Sequence, residues 1–133
     1  GEPEPQFFSL VDALLAGNAG LALQHLMEEK NRGVLPILQL ASFISLFRTL
    51  VIIKANRHQA RPAILATQHP FWISKLEAAS HKLSRESVTA AFQRLIELDW
   101  QFKTSQADPW VSLEEFTLSF ATHSTLQRGS GLP

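Results

Sequence analysis

Between Leu35 and Asn56 lies a run, Leu35-Pro36-Ile37-Leu38-Gln39-Leu40-Ala41-Ser42-Phe43-Ile44-Ser45-Leu46-Phe47-Arg48-Thr49-Leu50-Val51-Ile52-Ile53, that the rest of the chain must accommodate. On a helical wheel of about 100° per residue, Leu40, Phe43, Ile44, Phe47, Leu50 and Val51 share one face at the spacing of an amphipathic helix. Leu38, Leu46 and Ile53 project from the other side, where a surface helix would carry charge. Neighbours should therefore cover this helix on more than one side, which makes it the axis of a bundle. The run shows no sustained period-two alternation and far exceeds a typical strand of about 5–6 residues. A membrane span needs about 20 predominantly apolar residues, whereas Arg48 interrupts this run and Gln39, Ser42, Ser45 and Thr49 punctuate it.

With 133 residues the chain is long enough for one domain with a core of its own. It has no cysteine, so disulfide scaffolding, thiol catalysis and thiolate zinc sites are excluded, and a reducing cytosolic compartment fits. Lys and Arg (12) balance Asp and Glu (12), so no global field draws the chain onto phosphate backbones or an anionic membrane. The opening Gly1-Glu2-Pro3-Glu4-Pro5 has no basic region leading into an apolar segment, hence no signal peptide is read there. Gly1 reads as a cleavage scar, and the Glu-Pro start suggests a fragment of a longer protein.

Taken in order, residues 1–6 read as linker. A first helix runs from about Phe7 to Ala16, and Gly17-Asn18 ends it with C-cap chemistry. A second, from about Ala19 to Lys30, buries Ala22, Leu23, Leu26 and Met27 and turns Glu28, Glu29, Lys30 and Arg32 to water; the short link implies an antiparallel hairpin. Pro36 is tolerated in the first turn of the central helix, where a missing N–H costs nothing. A polar connector, Arg57 to Pro62, precedes a weak turn at Ala63 to Ala66. Pro70 opens the next helix, with Phe71, Trp72, Leu76, Ala79 and Leu83 in its seam. Ser84 caps a long helix from about Arg85 to Thr104, whose core face is Val88, Ala91, Phe92, Leu95 and Phe102. Asp108 caps a last helix led by Pro109 and ending near Ala121, with Trp110, Leu113, Phe116 and Phe120 inside. Residues 122–133 read as a flexible tail. The expected fold is all-α, a compact bundle of about six helices over residues 7–121.

Asp99 falls within the apolar stripe of the fifth helix and needs a partner or a proton. Lys103, one turn on, is the local candidate and Arg48 the tertiary one, and a structural ion pair is the better reading than catalysis. Five histidines, at 25, 58, 69, 81 and 123, have no i, i+4 pair and no H-E-x-x-H, so no metal site is expected. No G-x-S-x-G is present, and Gly17-Asn18-Ala19-Gly20 lacks the lysine of a P-loop. No cofactor or small-molecule substrate is expected. Arg61 to Lys82 has a helix-turn-helix outline, but its second helix opens with Phe71-Trp72 where base-reading polar side chains belong. Trp110 reads as core. Trp100, on the flank of its helix, is the interface candidate, together with Leu38, Leu46 and Ile53 of the central helix.

The order of these motifs carries more than any of them alone. Phe8-Ser9-Leu10-Val11-Asp12-Ala13-Leu14-Leu15-Ala16-Gly17, then Ala22-Leu23, then Leu35-Pro36-Ile37-Leu38 leading into Phe47-Arg48, resembles the C-terminal domain of the delta subunit of the bacterial DNA polymerase III clamp loader. His69-Pro70-Phe71 with Lys75, Glu97-Leu98-Asp99 with Lys103, and Asp108-Pro109 with Leu113-Glu114 continue the resemblance from about Phe7 to Ala121. The chain departs from it between Lys103 and Asp108, where many relatives have a glycine. The resemblance implies a helical collar that packs against the collars of the other clamp-loader subunits, in the bacterial cytoplasm at the replisome. It implies contact with the sliding clamp and primed DNA only through the full complex, and no catalysis in this segment of a DNA-directed DNA polymerase assembly. It also makes Asp99 and Lys103 structural. A helix-turn-helix DNA-binding module is the alternative.

Overall fold

A computed structural model describes residues 5–56, 65 and 68–130. Over them the backbone forms six helices and no strand: α1 (Pro5–Leu15), α2 (Ala19–Asn31), α3 (Pro36–Ala55), α4 (Pro70–Ser80), α5 (Arg85–Thr104) and α6 (Pro109–Ser130).

Each boundary has a local cause. Gly17 holds φ at +78°, the left-handed conformation in which a side chain would be strained. Its N–H and that of Asn18 return to the carbonyls of Leu14 (3.2 Å) and Ala13 (3.0 Å), closing α1. Asn18 then starts α2, its side-chain oxygen accepting the Leu21 N–H at 3.2 Å. Proline leads α3, α4 and α6, where the lost N–H is an orphan anyway. The His69 ring nitrogen accepts the Phe71 N–H at 3.2 Å at the head of α4. Ser84 caps α5 through the Ser87 N–H at 3.0 Å, and Asp108 caps α6 through the Trp110 N–H at 2.9 Å.

Two expected boundaries move. Pro5 and Gln6, read as linker, already belong to α1, and α6 runs to Ser130 rather than stopping near Ala121. From Thr122 to Arg128 there is neither proline nor glycine. Loss of apolar periodicity removes the reason to pack but not the capacity to stay helical. The connector from Arg57 to Pro62 and the turn at Ala63 to Ala66 lie outside the described residues, except Leu65, which is buried.

α3 is the axis. It packs along α5 and against α4 and α6, and meets α1 where Phe7 lies 6.3 Å from Phe43. Its Phe43 and Phe47 interlock with α6: Phe43 to Phe116 is 5.6 Å, Phe47 to Phe116 is 5.6 Å and Phe47 to Phe120 is 4.9 Å between centroids, the last two edge-on. Such pairs add about 0.5–1.5 kcal/mol each beyond area burial. α3 is long and apolar enough, at 20 residues and mean hydropathy 1.8, to cross a membrane by length and composition alone. Its Leu40, Phe43, Leu46, Phe47 and Leu50 are instead buried in the core the other helices complete. α1 and α2 form the expected hairpin and close the bundle against α6.

The buried face of α2 is narrower than expected, with Ala22 and Leu26 buried but Leu23 and Met27 only half-buried, and it takes in one charged residue. Glu29 is 5% exposed rather than facing water, and its carboxylate accepts from the Arg32 guanidinium at 2.9 Å. Among the described residues, the Gln39 amide nitrogen and the Thr117 hydroxyl are also enclosed, without a hydrogen-bond partner.

Candidate interaction surface

α5 is amphipathic, and its two sides lead to different surroundings. Val88, Ala91, Leu95 and Leu98 enter the core, with Phe92 and Phe102 packed half-buried against it. On the side away from the core, Ile96 and Trp100, one turn apart, remain 47% and 68% exposed. A tryptophan left this open has no role in closing the core. Exposed aromatics beside aliphatics are the usual material of a contact surface.

Asp99 and Lys103 stand beside that pair, on the edge of α5 that meets α3. Lys103 Nζ lies 3.0 Å from Asp99 Oδ2, an i, i+4 pair open to solvent. The two side chains form one wall of a cleft of about 430 Å³ whose other wall is α3, with Ile37, Ala41, Ile44 and Arg48. This face therefore places two exposed apolar residues of α5 and Ile37, 44% exposed, around a compact set of charges.

The expected site residues sort as follows. Asp99 is not enclosed: 36% of its side chain is exposed, because the core seam of α5 runs through Leu98 and leaves Asp99 at its edge. Its ion pair is with Lys103. Arg48 shares the cleft but makes no ion pair with Asp99, and it is exposed. Trp100 and Leu38 are open to solvent, at 68% and 58%. Leu46 is a correction: at 2% exposure it belongs to the core and cannot meet a partner. Ile53 is half-buried against the core. The second side of α3 is thus covered at Leu46 but open at Leu38, and α4 is tied to α3 by Lys54 Nζ donating to the Ser80 carbonyl at 2.9 Å.

Sequence reasoning missed Ile96 and Ile37. The signal for Ile96 is its i, i+4 spacing to Trp100 on a helix side otherwise filled by Gln93, Arg94 and Glu97. It missed Phe71 as well, which is expected in the seam of α4 but remains 60% exposed, touching Phe8 edge-on at 6.1 Å. Its neighbour Trp72 is buried, as expected.

The helix-turn-helix outline gains little. Its first helix falls outside the described residues apart from Leu65. In α4, Lys75 is engaged by Asp12 at 2.6 Å and lies 5.9 Å from the centre of the Phe8 ring. That side chain ties α4 to α1 rather than standing free for a phosphate.

The histidines are spread over separate places. His25 contacts Glu28 at 3.3 Å, His69 caps α4, and His123 Nδ1 lies 2.8 Å from the Ser119 carbonyl oxygen. His81 ends α4, and His58 lies outside the described residues. Among the described residues no three histidine, aspartate or glutamate side chains come together as a metal site would require.

A family model for the C-terminal domain of the DNA polymerase III delta subunit matches residues 4–120. Comparison with curated proteins gives no match.

Proposed function

This chain belongs to the family formed by the C-terminal domains of DNA polymerase III delta subunits, and we propose that it is the collar of such a protein, an oligomerisation domain that holds a clamp-loader complex together. In this reading the domain carries out no chemistry. It associates with the collars of neighbouring subunits in the cytoplasm, while clamp opening, nucleotide hydrolysis and contact with primed DNA fall to the rest of the assembly. The observation that carries it is the solvent-facing side of α5, where Trp100 and Ile96 stay open beside the α3 cleft although the core is closed without them.

Within that surface Trp100 is the anchor, with Ile96, Ile37 and Leu38 as the apolar remainder. Asp99, Lys103 and Arg48 supply orientation. Rim charges of this kind set partner choice and on-rate more than affinity. The Asp99–Lys103 pair is structural, keeping both side chains against α5 until a partner arrives.

Sedimentation velocity of the chain mixed with the collar regions of its partner subunits tests the proposal. A complex of defined stoichiometry is expected. If the folded chain sediments independently of every partner at micromolar concentration, the proposed function is wrong and only the fold stands.

A further inference from the structure

The cleft between α3 and α5 has one wall laid out along α3. Ile37, Ala41, Ile44, Ser45 and Arg48 follow one another at i, i+4, i+7, i+8 and i+11, a single face of the helix, about 16 Å long at 1.5 Å per residue. Ile44 is half-buried and the other four are exposed. Apolar or small as far as Ser45, this face ends on a guanidinium.

The three charges in the cleft are not equivalent. Lys103 and Asp99 neutralise each other across 3.0 Å within α5. The Arg48 guanidinium has neither an ion pair nor a hydrogen bond to any described residue. One turn before and behind it on α3 stand Ile44, Ser45, Val51 and Ile52, so its own helix supplies no carboxylate. Of the acids on the C-terminal half of α5, Asp99 is held by Lys103 and Glu97 by Arg94 at 3.1 Å. The charge of Arg48 is therefore left over, beside apolar side chains that the core does not use.

We propose that Arg48 fixes which partner the collar surface accepts, by taking an aspartate or glutamate carboxylate from an otherwise apolar segment of the neighbouring subunit's collar. This rests on the collar reading of the same surface. A guanidinium is a planar fork that holds a carboxylate through two parallel hydrogen bonds. Covering it with a purely apolar segment strands a charge, and covering it with a basic one sets like charges together, so both are excluded. A phosphate of a nucleic acid satisfies the same fork, but a phosphate backbone is held by a run of cations. The cleft has one unpaired cation, with Asp99 beside it and isoleucine along its wall. Burial is then supplied by Trp100, Ile96 and Ile37, and choice of partner by Arg48.

The test sets Arg48→Glu beside Trp100→Ala, each titrated by calorimetry with the collar regions of the partner subunits. Arg48 is exposed and unpaired, so Arg48→Glu is expected to melt as the unsubstituted chain does. Its affinity is expected to fall by about tenfold or more, with Arg48→Lys, which keeps the charge but not the fork, in between. When the acidic residues of the partner collar are exchanged for lysine one at a time, one exchange is expected to restore binding to Arg48→Glu. An arginine with a merely structural role gives no such rescue. Undiminished binding by Arg48→Glu, or a loss that no partner lysine restores, overturns the inference, as does Arg48-dependent binding of a DNA duplex in place of the collars. If Trp100→Ala still weakens the complex in those titrations, the collar reading survives the failure. Absence of any complex with the unsubstituted chain removes both.

Discussion

Two glutamates of similar sequence setting behave differently once placed. Glu97 pairs with Arg94 in the open, whereas Glu29 pairs with Arg32 while its own side chain is 7% exposed. Cutting each pair by Arg→Ala separates exposed from enclosed electrostatics. Arg94→Ala is expected to change unfolding free energy by at most about 0.5 kcal/mol. Arg32→Ala, which strands a buried carboxylate, should cost about 1–3 kcal/mol. Urea unfolding of both variants decides it, and equal effects would mean that Glu29 is not enclosed. The Thr117 hydroxyl is a related case, buried at 0% exposure with no partner. Thr117→Val keeps its shape, removes that hydroxyl and is expected to raise stability by about 1 kcal/mol. Asp99 belongs with the exposed group: Asp99→Asn should cost no more than about 0.5 kcal/mol, as a solvent-screened i, i+4 pair does. A loss of several kcal/mol would restore the buried reading and with it Arg48 as partner.

At the scale of an element, the helix ends are the most legible part of the sequence. Pro36, Pro70 and Pro109 open their helices, and Ser84 and Asp108 cap theirs, because those roles depend on a few neighbouring backbone atoms. Ser84→Ala and Asp108→Ala are each expected to cost about 1 kcal/mol in thermal or chemical melts. The faces of the helices are less legible. A wheel gives angles but not the width of the neighbour, so it draws Asp99, one residue past Leu98, into a stripe that ends just short of it. Leu46 and Leu38 share the second side of α3, yet one is enclosed and the other lies beyond the reach of the elements that cover α3. The long-range arrangement decides which, and spacing alone does not carry it. Leu46→Ala is therefore expected to cost about 2–5 kcal/mol, and Leu38→Ala close to nothing in the isolated chain. Ile96 escapes notice for the same reason. A single apolar residue on a polar side has no periodicity to reveal it, and only its exposure next to Trp100 gives it meaning.

For the whole molecule the question is what the surface left after folding is for. Six helices enclose Phe43, Phe47, Leu50, Leu76, Leu95 and Leu113 completely, so the core is closed without Trp100, Ile96 or Leu38. The surface that remains includes an aromatic and aliphatic patch on α5 beside the α3 cleft. The all-α class and the order of the helices are readable from the apolar periodicity and the punctuation between runs. The makeup of that surface is not, because it arises only where helices distant in sequence, as α3 is from α5, come together. Docking of a partner collar on the Trp100 side of α5 is put to the test by titrating Trp100→Ala in parallel with the wild-type chain. The readout is isothermal calorimetry with the collar regions of the partner subunits. Unchanged thermal stability with affinity reduced by tenfold or more, about 1.4 kcal/mol or above, is the result expected, and undiminished binding by Trp100→Ala would contradict it.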